Sequence, residues 1–210
     1  MREIFPGVLH WTAFNDNISA RVSSYYVEPA GVLIDPMLPD EGVRAFVGRT
    51  QPQQVVLTSG NHTRDADRFA EAFGCPIVTS SEGAERIGGA LSVETYSDGD
   101  DVAPGVRAVR IGVLSPDEYA LHITATEGAL AIADGLNHYA DSLGFFSDDL
   151  LGDDPERVKS GLMDAFRGLL TRDFDHLLFA HGDPLIGGGK AALRDFVAAP
   201  VGQEDFGQSL

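Results

Sequence analysis

The sequence predicts an α/β protein made of two similar halves packed sheet to sheet, and three observations predict it. Short β-rich runs dominate the first third of the chain. Two amphipathic stretches carry helix start or stop signals. The order strands, helix, strand, helix is run through twice, and packing the two halves against each other would bury both sheets.

The runs VLHW, the alternating ARVSSYYVE and GVLIDP read as consecutive strands of a mixed sheet, parted by the turn-forming NDN and EPAG. GVRAFVG predicts a short helix and QQVVLTS a buried strand. Thr63 is placed to cap a helix over RDADRFAEAF: its hydroxyl accepts from a free first-turn amide, and Asp65 complements the helix dipole. Ala66, Phe69, Ala70 and Phe73 share one face of that helix, and Gly74 stops it. CPIVTS follows as a strand. VETYS, a DGDD turn, VRAVRI, EYALHITAT and GALAIAD then read as a meander. The strongest helix signal comes next, with Asp154 as cap, Pro155 at the first position, and Val158, Leu162, Phe166 and Leu169 along one face. HLLFAHG is a final strand, GGGKAALRDFVAA a closing helix. Residues 1–200 are expected to form a single domain and 201–210 a loose tail.

With 210 residues, 43% of them hydrophobic, the chain is long enough to bury a sizeable core. Fifteen Lys and Arg against 32 Asp and Glu give a net charge of -17. A surface of that sign repels phosphate backbones and anionic lipid, so neither nucleic acid nor membrane is an expected partner. The single cysteine, Cys75 in FGCPIV, reads as a buried small side chain. No run approaches a bilayer span, and a cytoplasmic protein acting on a small molecule is the expectation.

Three polar clusters stand where a strand gives way to a loop: TSGNHTRD after VVL, ADGLNHY after ALAI, and AHGDP after LLF. Each holds a histidine with an aspartate or asparagine, donors that suit zinc, iron or manganese. If the three strand ends converge, His62, Asp134 and His181 form a site of two histidines and one carboxylate. The other histidines have plainer readings: His138 as a cap of its loop or as a further lining residue of the same cavity, His10 and His122 as structural, His176 as exposed at a strand start. GGG at 187–189 lacks the GKS or GKT ending of a P-loop and reads as a flexible turn.

From about Glu3 to Val197 the order of motifs resembles the metallo-β-lactamase-fold hydrolases. PGV stands near the start, and GVLIDP ends on Asp35. VVLTS precedes the first metal loop, SDGDDVAPGVRAVRI resembles the central meander, ALAIADG carries the bridging aspartate, and LLFAHGDPLIGGG the final histidine. The resemblance implies a four-layer αββα sandwich with a metal site at one edge of the two sheets.

The family's HxHxDH signature is degenerate in this chain, which reads TSGNHTRD. In one register His62 is the last histidine, Asn61 replaces the aspartate, and Ser59 and Leu57 replace the first two histidines. In another, Ser59, Asn61, Thr63 and Arg64 take the ligand positions. In both, Leu114 stands where a further histidine is expected, and leucine offers no lone pair.

Carried over residue by residue, the resemblance leaves Asn61, His62, Asp134 and His181 as metal ligands, with Asp134 and His62 as catalytic residues and at most one zinc, iron or manganese ion. Arg64 paired with Asp134 or Asp65 would instead substitute for the ion. Two readings follow: a hydrolase-like enzyme with a mononuclear site, or a metal-free binding or sensing protein that retains the fold.

Overall fold

The structure, a computed structural model, describes residues 1–200 and the backbone of 205–206. The first half contributes strands β1 (Arg2–Phe5), β2 (Val8–Asn15), β3 (Ala20–Val27), β4 (Val32–Ile34), β5 (Gln54–Val56), β6 (Ile77–Ser80) and β7 (Glu94–Tyr96). Helix α1 (Ala66–Phe73) lies between β5 and β6, and α2 (Ser81–Ile87) between β6 and β7. These strands form one seven-stranded sheet in chain order, antiparallel from β1 to β4 and parallel from β4 to β7.

The second half contributes β8 (Asp101–Ala103), β9 (Val106–Arg110), β10 (Tyr119–Ile123), β11 (Ala129–Ile132), the hairpin β12 (Asn137–Tyr139) and β13 (Ser142–Phe146), α3 (Pro155–Leu169), β14 (His176–Phe179) and α4 (Gly189–Ala198). A second sheet runs β14-β11-β10-β9-β8, with β14 parallel to β11. The short strand β15 (Asp205–Phe206) adds to β13. The tail expected to be loose, 201–210, otherwise lies outside the described residues.

Strand alternation produces the layers. Val32 and Ile34 face the space between the two sheets, while Leu33 between them faces the α1 side; Tyr119 and Leu121 face the first sheet, while Ala120 faces α3. Three buried clusters result, one between the sheets and one under each helical layer. Leu162, Phe166 and Leu169 of α3, at most 2% exposed, fill the outer one on the second sheet. This is the expected αββα sandwich.

The local expectations hold where caps dictate them. The Asp154 carboxylate accepts from the Arg157 amide, Pro155 opens α3, and Gly74 ends α1 with φ of 64°. Thr63 does not cap α1, which starts at Ala66 behind Asp65. Arg64 takes φ of 42°, which breaks the chain between Thr63 and the helix, and the Asp65 carboxylate accepts from the Leu38 amide at 2.8 Å. GVRAFVG forms a 3-10 turn, Gly42–Phe46. His176 is buried, not exposed: its ring stacks on Phe5 with centroids 4.0 Å apart, and its Nδ1 accepts from the Gly187 amide. Helix α2 was not expected from the sequence, although Ser80 caps it through the Gly83 amide and Gly88 closes it.

Candidate metal centre

Parallel pairing brings the chemistry to one edge. Asp35 follows β4, Thr58 and Ser59 follow β5, Asp134 follows β11 and His181 follows β14, so each leaves the carboxyl end of a parallel strand. Hydrogen bonds tie the sheets together there: the Tyr119 amide donates to Thr58 O at 2.9 Å, the Ser23 amide to Ala180 O at 2.9 Å, and the Tyr25 hydroxyl to Phe179 O at 2.8 Å. Gly182 fixes the turn after His181. Its φ is 92°, and a Cβ there would collide with the backbone carbonyl of His138.

His62, Asp134 and His181 converge, each offering a ligand atom within 4.8 Å of the others. Asp134 Oδ1 lies 3.0 Å from His62 Nε2 and 3.1 Å from His181 Nε2. Behind His62, Nδ1 lies 2.9 Å from Asp35 Oδ2, which also accepts from the Thr58 hydroxyl at 2.5 Å, while Asp35 Oδ1 accepts from the Thr58 amide at 2.8 Å.

Burial by itself would lower the His62 pKa, but the Asp134 and Asp35 carboxylates outweigh it and push it up to about 9. Burial would raise Asp134; the His62 charge and hydrogen bonds from both histidines hold it well below the usual carboxylate range. Asp35 is also held low, against burial, by His62, Arg64 and Thr58. Burial lowers His181 despite Asp134.

The three residues bound a cavity of about 610 Å³ that is also lined by Ser59, Asn61, Arg64, Leu114 and Glu118. Asn61 sits at its exposed edge, where its backbone amide donates to Ser59 Oγ. Arg64 lines the cavity but makes no ion pair with Asp134 or Asp65; its Nη1 donates to the carbonyls of Asp35 and Ser23 at 2.6 and 2.7 Å. Ser59 donates to Asp117, whose carboxylate also accepts from the Gly60 amide, Ser115 and Arg86. His138 lies outside the cavity lining; it is buried within β12 and not in a loop, with its Nδ1 2.8 Å from the Asp183 carbonyl.

Glu118 was not singled out in the sequence. It precedes the apolar strand β10, and a charged side chain in front of an apolar run is ordinarily a solvated one. Here it is 1% exposed, with Oε1 accepting from the Gly135 amide at 2.6 Å and Oε2 without a partner. Burial, reinforced by the Asp134 charge, pushes its pKa up to about 8 against the pull of that amide.

No protein-family model matches the sequence, and no curated protein is similar to it at a significant level. Solved structures do match. A metallo-β-lactamase family protein from Thermus thermophilus superposes over 93% of this chain and 80% of its own, with a TM-score of 0.64 at 16% identity. The chain has the metallo-β-lactamase fold. TMB-1, described with substrate and inhibitor binding, shares it at a TM-score of 0.68 and 13% identity, over 94% of each chain. Rubredoxin oxygen:oxidoreductase from Desulfovibrio gigas matches 94% of this chain at a TM-score of 0.67 and 16% identity, and the chain spans 60% of that protein's length. The fold is thus common to a metallo-β-lactamase family protein and an oxidoreductase, so the reaction must be argued from the site.

Proposed function

We propose that this protein is a hydrolase-like enzyme with one divalent metal ion held by His62, Asp134 and His181. The convergence of these three side chains carries the reading. Donors bound at about 2.0–2.1 Å to one ion, at right to tetrahedral angles, stand roughly 2.8–3.4 Å apart. Oxygen-to-nitrogen separations of 3.0 and 3.1 Å fit that cradle.

Asp35 supports the same reading. A carboxylate that takes the Nδ1 proton of a histidine fixes its tautomer and leaves Nε2 free to coordinate. Three protein ligands also leave a position open for water or substrate, as catalytic sites do and structural sites do not. Two nitrogens and one carboxylate oxygen suit zinc, iron or manganese. Among the described residues no other cluster of such donors exists, and Leu114, which lines the cavity, offers no lone pair, so one ion is the expected stoichiometry.

When bound, the ion would polarise a carbonyl or phosphoryl oxygen and lower the pKa of a water. The chain's own part is to hold and dry the reacting groups. Asp35 and Thr58 lock the His62 ring, and the apolar Val22, Leu114 and Phe146 bound the cavity that takes a small-molecule substrate.

The competing reading, a metal-free binding or sensing protein, draws on the raised pKa of His62: an imidazolium that donates from Nδ1 to Asp35 and from Nε2 to Asp134 supplies the positive charge an ion would otherwise bring. Elemental analysis of protein purified without chelator separates the two. About one zinc, iron or manganese per chain, lost in His181→Ala, is the expected result. A protein that arrives metal-free and takes up no added zinc would refute the metal reading.

A further inference from the structure

We propose that the Glu118 carboxyl is the acid of this site, handing its proton to the leaving group as the scissile bond of an ester opens. The assignment rests on the hydrolytic reading above and adds the group that completes it.

Glu118 bounds the same cavity as the triad, from the neighbouring strand of the second sheet. It stands immediately before β10, which runs antiparallel to β11, and so lies beside the strand end that carries Asp134. One carboxyl oxygen is engaged by the Gly135 amide at 2.6 Å, and the other is buried without a partner. An ionised carboxylate in that position would leave a charge nearly out of water with a single hydrogen bond, a costly arrangement. A neutral carboxylic acid has a proton to give and no protein acceptor for it, so the site is arranged for a donor whose acceptor arrives with the substrate.

Gly135 is part of the arrangement. A Cβ at that position would stand 2.7 Å from Glu118 Oε1 and 2.8 Å from Leu162 Cδ2, so glycine lets the amide reach the carboxyl. The charged and titratable groups that act on Glu118 are Asp134, His62 and Asp117, and the Asp134 charge adds to burial in favouring the proton-bearing form.

The step balances. Water adds its hydroxyl to the acyl carbon, the bond from that carbon to the alkoxide oxygen breaks, and the Glu118 proton passes to the departing alkoxide. The proton released by water restores the Glu118 carboxyl, leaving one carboxylic acid and one alcohol. Asp134, held ionised between two histidines, cannot serve as that donor.

The test compares ethyl butyrate, whose alkoxide is a poor leaving group that gains most from protonation, with 4-nitrophenyl butyrate, whose phenolate leaves with little help. Both are assayed on zinc-loaded wild type and Glu118→Gln. Gln keeps the neutral charge and the acceptor for Gly135 and removes only the transferable proton. The expected result is a variant with unchanged zinc content and thermal transition. Its ratio of kcat/KM for the ethyl ester to that for the nitrophenyl ester falls by ~100-fold, the scale of general acid catalysis.

Loss of both activities in equal proportion, or loss of zinc, would make Glu118 a structural residue and overturn the assignment. Absence of turnover of both esters by the wild type would overturn the hydrolytic reading itself, and the acid role with it. The wild type gives a further check should the variant not fold. Because burial favours the proton-bearing form of Glu118, ethyl butyrate hydrolysis falls off at alkaline pH relative to 4-nitrophenyl butyrate hydrolysis, and parallel profiles for the two esters overturn the proposal.

Discussion

Nδ1 of His62 lies 2.9 Å from Oδ2 of Asp35, although the two residues stand 27 apart in the chain and leave different strands. The contact fixes which nitrogen of His62 faces the cavity. Replacing Asp35 with Asn keeps the size of the side chain but removes the charge that orients and enriches the ring. Zinc affinity, read by competition with a chromophoric chelator, is expected to fall by about 10–100-fold. An unchanged affinity would show that Asp35 acts only on the fold.

The metal-free protein should lose stability as the solution turns alkaline. His62 is protonated in the folded state up to about pH 9, against 6.5 for an ordinary histidine. The unfolded chain therefore binds fewer protons between those values, and the stability that His62 contributes is complete below about pH 6.5 and gone above about pH 9. Urea titrations of chelator-treated protein across that window should show a decline, on the order of 3 kcal/mol at most, that is smaller in His62→Gln. Identical slopes in the two proteins would refute the charge assignment.

Gly182→Ala should be among the most damaging single changes in the protein. The new Cβ would meet the His138 carbonyl, a backbone atom that cannot swing away, at a φ that L residues rarely take. A loss of about 2–4 kcal/mol in urea unfolding is expected, with zinc binding weakened because His181 is the preceding residue. A variant as stable as the wild type would mean that the 138 loop yields freely.

Leu114→His restores a ligand type at the cavity wall, yet the metal content is expected to stay at one ion per chain. Ser59 is engaged by Asp117, and Asn61 lies at the exposed edge, so a single new histidine has no partners there. Two ions per chain in elemental analysis would contradict this.

Phe166, fully buried against the second sheet, tests the outer layer. Phe166→Ala should cost about 3–5 kcal/mol. Zinc stoichiometry in the folded fraction should be retained, because the site is built from strand ends and not from α3.

Much of this was legible in the sequence. Apolar alternation in GVLIDP and VVLTS, the Asp154 and Pro155 start of α3 and the Gly74 stop of α1 are local signals, each written within a few residues, and they determined the element order and the layered fold. The ligand types of His62, Asp134 and His181 were legible for the same reason, since each stands in a short polar cluster after a strand. Their meeting was not local. It depended on β4 pairing with β5 and β11 with β14 in parallel, which carries four strand ends to one edge. Burial was decided at the same level. Glu118 and His176 have side chains that ordinarily face water, and only the neighbouring strands and loops enclosed them. The sequence by itself therefore set which elements form and which donors they carry. The tertiary structure decided which donors meet, that Arg64 binds backbone carbonyls beside the triad and not Asp134, and that a carboxyl beside Gly135 stands out of water with one oxygen unpartnered. The physical reason is one of range: propensity and periodicity act over a few residues, while pKa, coordination and desolvation depend on contacts across the whole chain.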